Sequence, residues 1–338
     1  QTEHLSDPTQ LNLVLQEGLQ LEQQRRWGEA LSRYEEAARR YPRNGELQQR
    51  VTLARIHFDL SRRYADQSYL KAMRELSEQQ ALDLFAEVGL KIQSHYVHNP
   101  NWNELVRRGT QSLQIALTDA SFERVHELRA SQDERHELTS YLWRVLDQHG
   151  VRDRKHAQEM VRWIARLSGQ RLQLPTTAVI LEYTCGATNA LDTYTAYLTS
   201  DQLDDVYSQI EGNFVGLGIE LKVEEGSLLI ADVIPRGPAQ RAGIQPGDRI
   251  IEVDGTSTRD TSTEVAADLL KGEQGTYVRV TLLAPDGSTR QLSVRRERVE
   301  VPSLEDVQLL DAESGVAYFR VSSFQKTTSR DVDAALWR

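Results

Sequence analysis

The spacing of apolar residues changes once along this chain, and that change limits the possible folds more than any other feature. Up to about Ile210 the sequence reads as helix, and past Gly212 nearly all of it reads as short strands. The switch falls on Gly212-Asn213-Phe214-Val215-Gly216-Leu217-Gly218-Ile219-Glu220-Leu221. Gly216 and Gly218 bracket Leu217, and two glycines one residue apart let successive N–H groups face one concavity, a nest suited to an anion. The run Ile219, Leu221, Val223 that follows is strand-like. A sheet-edge strand behind such a nest can accept an extended peptide whose terminal carboxylate lands on the amides. A Gly-x-Gly alone also fits an ordinary turn into a strand, so the flanking sequence has to decide. The expected fold class is α+β, with the all-α part first.

Length and charge narrow the function classes. A chain of 338 residues accommodates two or three domains. The formal net charge of −10, from 50 acidic and 40 basic residues, argues against a nucleic-acid partner, which calls for a basic stripe. No apolar run reaches the length of a membrane span, and no basic-then-apolar leader stands at Gln1. The single cysteine, Cys185, fits no zinc pattern, has no histidine near it in sequence, and reads as a buried structural thiol. The histidines form no HExxH pattern, and His95 with His98 reads as a solvated helix end. No metal site and no cofactor is expected.

Along the helical half, Gly18, Leu21, Trp27, Ala30, Tyr34, Ala37 and Pro42 fall at the spacing of one tetratricopeptide-like helical hairpin. Val14 and Glu17 depart from that pattern, and no second copy follows. A lone hairpin cannot bury its own face, so it is expected to pack on the helices behind it, as a cap or as a surface for a partner or self-association. Further amphipathic faces are marked by Ala81, Leu84, Phe85, Val88 and Ile92, and by Leu105, Leu113 and Leu117. Two more are marked by Trp143, Val145 and Leu146, and by Met160, Trp163, Ile164 and Leu167. Ser131 to Arg135 reads as a solvated helix start.

Past Leu191 a segment ending in Thr199 leads into a short helix, with Thr199 as N-cap and Gln202 as capping-box partner. Leu228–Val233 reads as a strand, Ala239–Gly243 as a short helix with a glycine stop, and Arg249–Val253 as a strand after the Pro246-Gly247-Asp248 turn. Thr263–Leu270 reads as a helix, and Tyr277–Leu283 with Gln291–Arg295 as a hairpin across Pro285-Asp286-Gly287.

The run Pro238-Ala239-x-x-Ala242-Gly243-Ile244-x-Pro246-Gly247-Asp248-x-Ile250-x-x-Val253-Asp254-Gly255 resembles a PDZ domain, a half-open β barrel with two helices. Gly216-Leu217-Gly218-Ile219 then matches that family's carboxylate-binding loop. A loop preceding the Pro-Gly-Asp signature is the circularly permuted arrangement of bacterial processing proteases. The resemblance implies a peptide site at Val215, Gly216, Leu217, Gly218, Ile219 and Leu221, with Val265 and Leu269 facing the last side chains of a C-terminal peptide. The flanks are similar to the C-terminal processing (tail-specific) serine peptidases: Leu191-Asp192 through Tyr197-Leu198-Thr199 before the loop, with Thr193 in place of that family's proline, and Arg298–Ser303 with Gly315–Phe324 after it. The resemblance implies a location in the periplasm or cell envelope. Residues 118–186 have no counterpart in that family and read as a helical insertion.

That family uses a serine nucleophile and a lysine base, both well downstream of the segment matched by Ser322-Ser323-Phe324. A desolvated lysine can take the hydroxyl proton, but no such pair is expected within this chain. Ser322, Ser323 and Lys326 match a strand end, and Thr327 or Thr328 is expected to cap a helix that includes Val332 and Leu336. The expected domains are 1–60, a tetratricopeptide-like hairpin; 61–211, a helical domain with the insertion; 212–300, the PDZ domain; and 301–338, the start of an α/β protease core. The expected function is the N-terminal and PDZ region of a C-terminal processing protease, itself inactive and reading substrate C-termini. The alternative is a non-enzymatic PDZ and repeat adaptor. A trypsin-like periplasmic protease is disfavoured, because its PDZ modules follow a catalytic core.

Overall fold

A computed structural model describes residues 8–192, 194–224, 227–259 and 269–337. Thr193, Val265 and most of the expected Thr263–Leu270 helix lie outside the described residues. The chain divides into two compact units, Gln1–Asp201 and Gln202–Arg338.

The first unit is all-α. α1 (Pro8–Gln23) and α2 (Trp27–Arg40) form a hairpin that continues into α3 (Gly45–Ala65). Gly18 is required where the helices meet, because a Cβ there would lie 2.2 Å from the Tyr34 ring. The buried Tyr34 hydroxyl donates to Glu22 at 2.7 Å, and Arg50 pairs with the same carboxylate at 3.1 Å. Asn44 caps α3 by accepting from the Leu47 N–H at 2.8 Å. The long α3 belongs to two cores at once. Leu47 and Ala54 pack with Leu15, Ala30 and Tyr34 of the hairpin, whereas Ile56, Leu60 and Tyr64 join the main helical core. The hairpin is therefore carried on a helix that the main core holds.

The main core is built from α4 (Gln67–Glu75), α5 (Glu78–His95), α6 (Trp102–Ala116), α7 (Ala120–Val125), α8 (Gln132–His149), α9 (Arg154–Leu172) and α10 (Thr176–Asn189). Every residue of α10 from Thr177 to Thr188 is buried, as befits a helix with no polar face. It lies against α6 with Gly186 over Gly109, where a Cβ on Gly186 would stand 2.6 Å from the Gly109 Cα. The segment read from sequence as an insertion thus ends in the central helix of the core. Ser131 and Glu134 close a reciprocal capping box at the start of α8. Two expected faces shift. On α8 the buried row is Leu138, Leu142 and Leu146, while Trp143 turns its indole N–H to Gln114 at 2.9 Å. On α9, Val161, Ile164 and Ala165 are buried, and Trp163 stands 38% exposed because the row is offset by one residue.

Three helices, α3, α6 and α10, send polar groups to one place in this core. Arg63 and Glu182, 4% and 0% exposed, pair at 2.8 Å, and the Ser112 hydroxyl donates to the same carboxylate oxygen at 2.9 Å. Cys185 lies buried beside them, and burial raises its thiol pKa to about 12, which leaves it inert.

The second unit begins with the bulk of α11 (Ser200–Glu211) and contains β1 (Asn213–Gly216), β2 (Ile219–Glu224), β3 (Ser227–Val233), α12 (Pro238–Arg241), β4 (Arg249–Val253) and β5 (Thr256–Ser257). β6 (Tyr277–Leu283), β7 (Thr289–Arg295), β8 (Glu297–Glu300), β9 (Leu304–Asp311), β10 (Val316–Val321) and α13 (Thr328–Leu336) complete it. One antiparallel sheet runs β2-β3-β4-β6-β7, with β5 on β4; β1 pairs with β8, and β9 with β10. Alternation on the central strands puts Leu228, Ile230, Ile250, Val278, Val280 and Leu282 into one apolar cluster. Complete burial of one such side chain contributes about 1.5–3 kcal/mol.

Turns fix the register of this sheet. Asp248 accepts from the Gln245 N–H at 2.8 Å and from Arg290, and Gly247 sits at φ +94°. Asp254 and Gly255 both adopt positive φ in the turn between β4 and β5. At α13 the expected cap fails. Thr327 has helical backbone and its side chain makes no capping bond, whereas Asp331 in the first turn accepts from the Ser303 hydroxyl at 2.9 Å.

Candidate functional site

The loop joining β1 to β2 is held on both sides by its carbonyls. The Leu217 carbonyl accepts from the Ala239 N–H of α12 at 2.9 Å, and the Gly218 carbonyl accepts from the Ile234 N–H at 2.9 Å. The Leu217 side chain is 2% exposed and enters the sheet core, so the loop is pinned at its middle residue. Gly218 has φ +75°, and a Cβ there would press on Val299 and Ile234 at 3.3 and 3.5 Å. Only glycine fits that combination. With the carbonyls occupied inward, the N–H groups of Leu217 and Gly218 find no acceptor among the described residues. Backbone N–H groups call for an acceptor, so two adjacent ones without an internal partner mark a place for an external one.

The strand that follows is at the sheet's edge: among the described residues β2 pairs with β3 alone. Its free side can take a further strand, and the loop amides stand at its first residue. The arrangement can hydrogen-bond an extended backbone and receive a carboxylate at its end.

Of the residues expected from sequence, Val215 is half-buried in β1, Gly216 ends that strand, and Leu217 and Gly218 form the loop. Ile219 and Leu221 are half-buried on the core-facing side of β2, and Leu269 packs against the same core. Gly216 through Leu221 are thus contiguous along one edge. Ser322, Ser323 and Lys326 are not brought together as a nucleophile and base. The Ser322 hydroxyl donates to the Ser303 carbonyl at 3.2 Å, Ser323 Oγ accepts from Gln325 at 2.7 Å, and Lys326 Nζ faces Glu211 at 3.6 Å. Among the described residues no group of three histidine, cysteine or acidic side chains could hold a metal ion, and no helix is long and apolar enough to cross a membrane.

Two contributors were not evident from sequence. Arg296 is 7% exposed, and its guanidinium donates to the carbonyls of Leu270 at 2.9 Å, Tyr277 at 3.1 Å and Leu269 at 3.4 Å, and to the Thr276 hydroxyl at 3.1 Å. A cation on the terminal carbonyls of a helix suits the dipole and satisfies groups the helix leaves open. It holds Leu269 at a fixed height over the sheet. Val299 of β8 is 4% exposed and backs Gly218, so the β1–β8 ribbon forms a wall of the loop. An arginine directly after a strand carries no periodic signal. Only its contacts from distant segments reveal its role.

Comparison with known proteins finds relatives for part of the chain. Residues 229–283 match the family model described as PDZ domain. Over 145 residues the chain is 29% identical to carboxy-terminal processing protease CtpA of Bacillus subtilis, covering 43% of this chain and 30% of that protein. It is 30% identical over 148 residues to carboxy-terminal processing protease CtpB of the same organism, again covering 43% and 30%. Among solved structures, the PDZ domain of a carboxy-terminal protease from Vibrio cholerae, in complex with peptide, is 23% identical over 26% of this chain and 99% of that one, with a TM-score of 0.25. The match spans about 30% of the length of the two Bacillus relatives. The chain therefore carries a PDZ domain, and part of it is homologous to the carboxy-terminal processing proteases.

Proposed function

We propose that the second unit reads the C-termini of polypeptides for a C-terminal processing serine protease. The observation that carries this reading is the pair of amides at Leu217 and Gly218, left without an internal acceptor at the start of an edge strand. A peptide adds antiparallel to β2, its carboxylate takes the two N–H groups, and an apolar last side chain rests among Leu217, Ile219, Leu221 and Leu269, with Val265 as a further contact. Gly216 allows the turn and Val215 supports it from β1. A charge-assisted hydrogen bond contributes about 1.5–3 kcal/mol. Amidating the terminus should therefore weaken binding by at least about tenfold in a titration of the full chain. Equal curves for acid and amide would refute the assignment.

Within the same reading the domains are 1–60, 61–211, 212–300 and 301–338, with the PDZ part in circularly permuted order and the last part the start of a protease core. The first hairpin is tetratricopeptide-like and serves docking or self-association, supported by the Gly18–Tyr34 contact. The location is the periplasm or cell envelope. The engaged states of Ser322, Ser323 and Lys326 support a chain that binds and does not cleave. Serine-dependent hydrolysis of an unfolded protein by this polypeptide would overturn that point. A non-enzymatic adaptor shares the same binding site, and the coding sequence past Arg338 separates the two.

A further inference from the structure

The apolar row on β2 extends past the core it faces. Ile219, Leu221 and Val223 stand in register with Val233, Ile230 and Leu228, all three of which are buried. Facing residues of an antiparallel pair share one side of the sheet, so the three β2 side chains form one row on the core side. Ile219 and Leu221 pack against the core, but Val223 remains 51% exposed. The alternate residues Glu220 and Lys222 point to the other side and pair with each other at 3.6 Å. The strand is also held at its far end: Arg249 donates to the Glu224 carbonyl at 3.1 Å and pairs with its carboxylate at 2.8 Å. Val223 is thus a fixed, half-open apolar patch on the side of the sheet that otherwise faces the core.

We propose that Val223 is a specificity-determining residue that selects an apolar side chain at the fifth residue from a ligand's C-terminus. The inference rests on the C-terminus-reading function. With the terminal residue opposite Ile219, an antiparallel strand places its third-last residue opposite Leu221 and its fifth-last opposite Val223. Period-two alternation then puts all three side chains over the same row. A fifth-last side chain of the right kind covers the part of Val223 now in water, and a charged one loses hydration there with no partner.

The test uses the full chain and N-terminally labelled octapeptides with a free apolar terminus, differing only in valine, serine or aspartate at the fifth-last position. Anisotropy titration is expected to rank valine above serine by about three- to tenfold, with aspartate weakest. V223S should erase the valine–serine difference, and V223T, which keeps the β-branched shape, should reduce it, with circular dichroism confirming that both variants are folded. Equal affinities for the three peptides, alongside a retained preference for acid over amide, would overturn this inference and leave the C-terminus reader standing. A valine preference that survives in V223S would also overturn it. Loss of the acid-over-amide preference in every peptide would remove both.

Discussion

The two units solve the problem of uniqueness in different ways. The helical unit buries an ion pair, Arg63 with Glu182, in the middle of its core, and the Ser112 hydroxyl donates to the same carboxylate. The β unit buries no such ion pair between its central strands; its ordering polar groups are Asp248 at a turn, Thr258 bonded to the Ile250 carbonyl, and Arg296 at a helix end. Helices with apolar faces slide and rotate at small cost, so a buried polar contact fixes which face meets which. A sheet already has its register set by turn geometry and the alternation of side chains. The lesson is that disorder in one unit should follow loss of an interior contact, and in the other loss of a boundary contact.

The sharpest way to break this comparison is Glu182→Ala. It leaves Arg63 buried without a counter-charge and should destabilise the helical unit by about 3–5 kcal/mol in urea unfolding. Replacing both partners with apolar residues of similar volume should recover most of that. A cost below about 1 kcal/mol for the single variant would show that the pair does not specify the core.

The matching change in the β unit is Arg296→Met, which strips the carbonyls of Leu269, Leu270 and Tyr277 of their donor. A loss of about 1–3 kcal/mol is expected, together with weaker binding of C-terminal peptides because Leu269 is no longer held. Stability that falls with no change in peptide affinity would confine Arg296 to a structural role.

A smaller effect is expected at the surface of the helical unit. Ser131→Ala opens the capping box of α8 and should cost about 1 kcal/mol, well below the interior change in the same unit.

A different kind of effect is a pH dependence at His126, whose ring lies 3.1 Å from the Tyr64 hydroxyl. Burial lowers its pKa from 6.5 to about 4. Between those values the unfolded chain holds a proton that the folded chain does not, so stability rises with pH across that window. The contribution is complete above 6.5 and is lost as the pH falls toward 4. His126→Asn should flatten that part of the stability profile of the helical unit. A profile unchanged by the substitution would place the titration elsewhere.

Much of the candidate site was legible because its signals are local. Glycine at 218 is dictated by a positive φ, and Pro246-Gly247-Asp248 and Asp254-Gly255 specify turns within a few residues. The amphipathic faces of α8 and α9 were legible only approximately. Trp163 shares their spacing and is a large aromatic, yet nothing in spacing reveals that the neighbouring helix covers Ile164 and not the indole. Arg296 was not legible at all, because its acceptors come from separate segments.

The sequence by itself determined where helix gives way to strand, which residues turn the chain, and that Gly216-Leu217-Gly218 precedes an apolar strand. These follow from backbone sterics and from the two periods of side-chain direction. Only the tertiary structure decided that α10 lies at the centre of the helical core, that Arg296 holds the helix end at Leu269, and that Val223 keeps half its surface in water. Those facts depend on what lies across from each residue. A periodic pattern states which face is apolar, and distant contacts alone state what covers it.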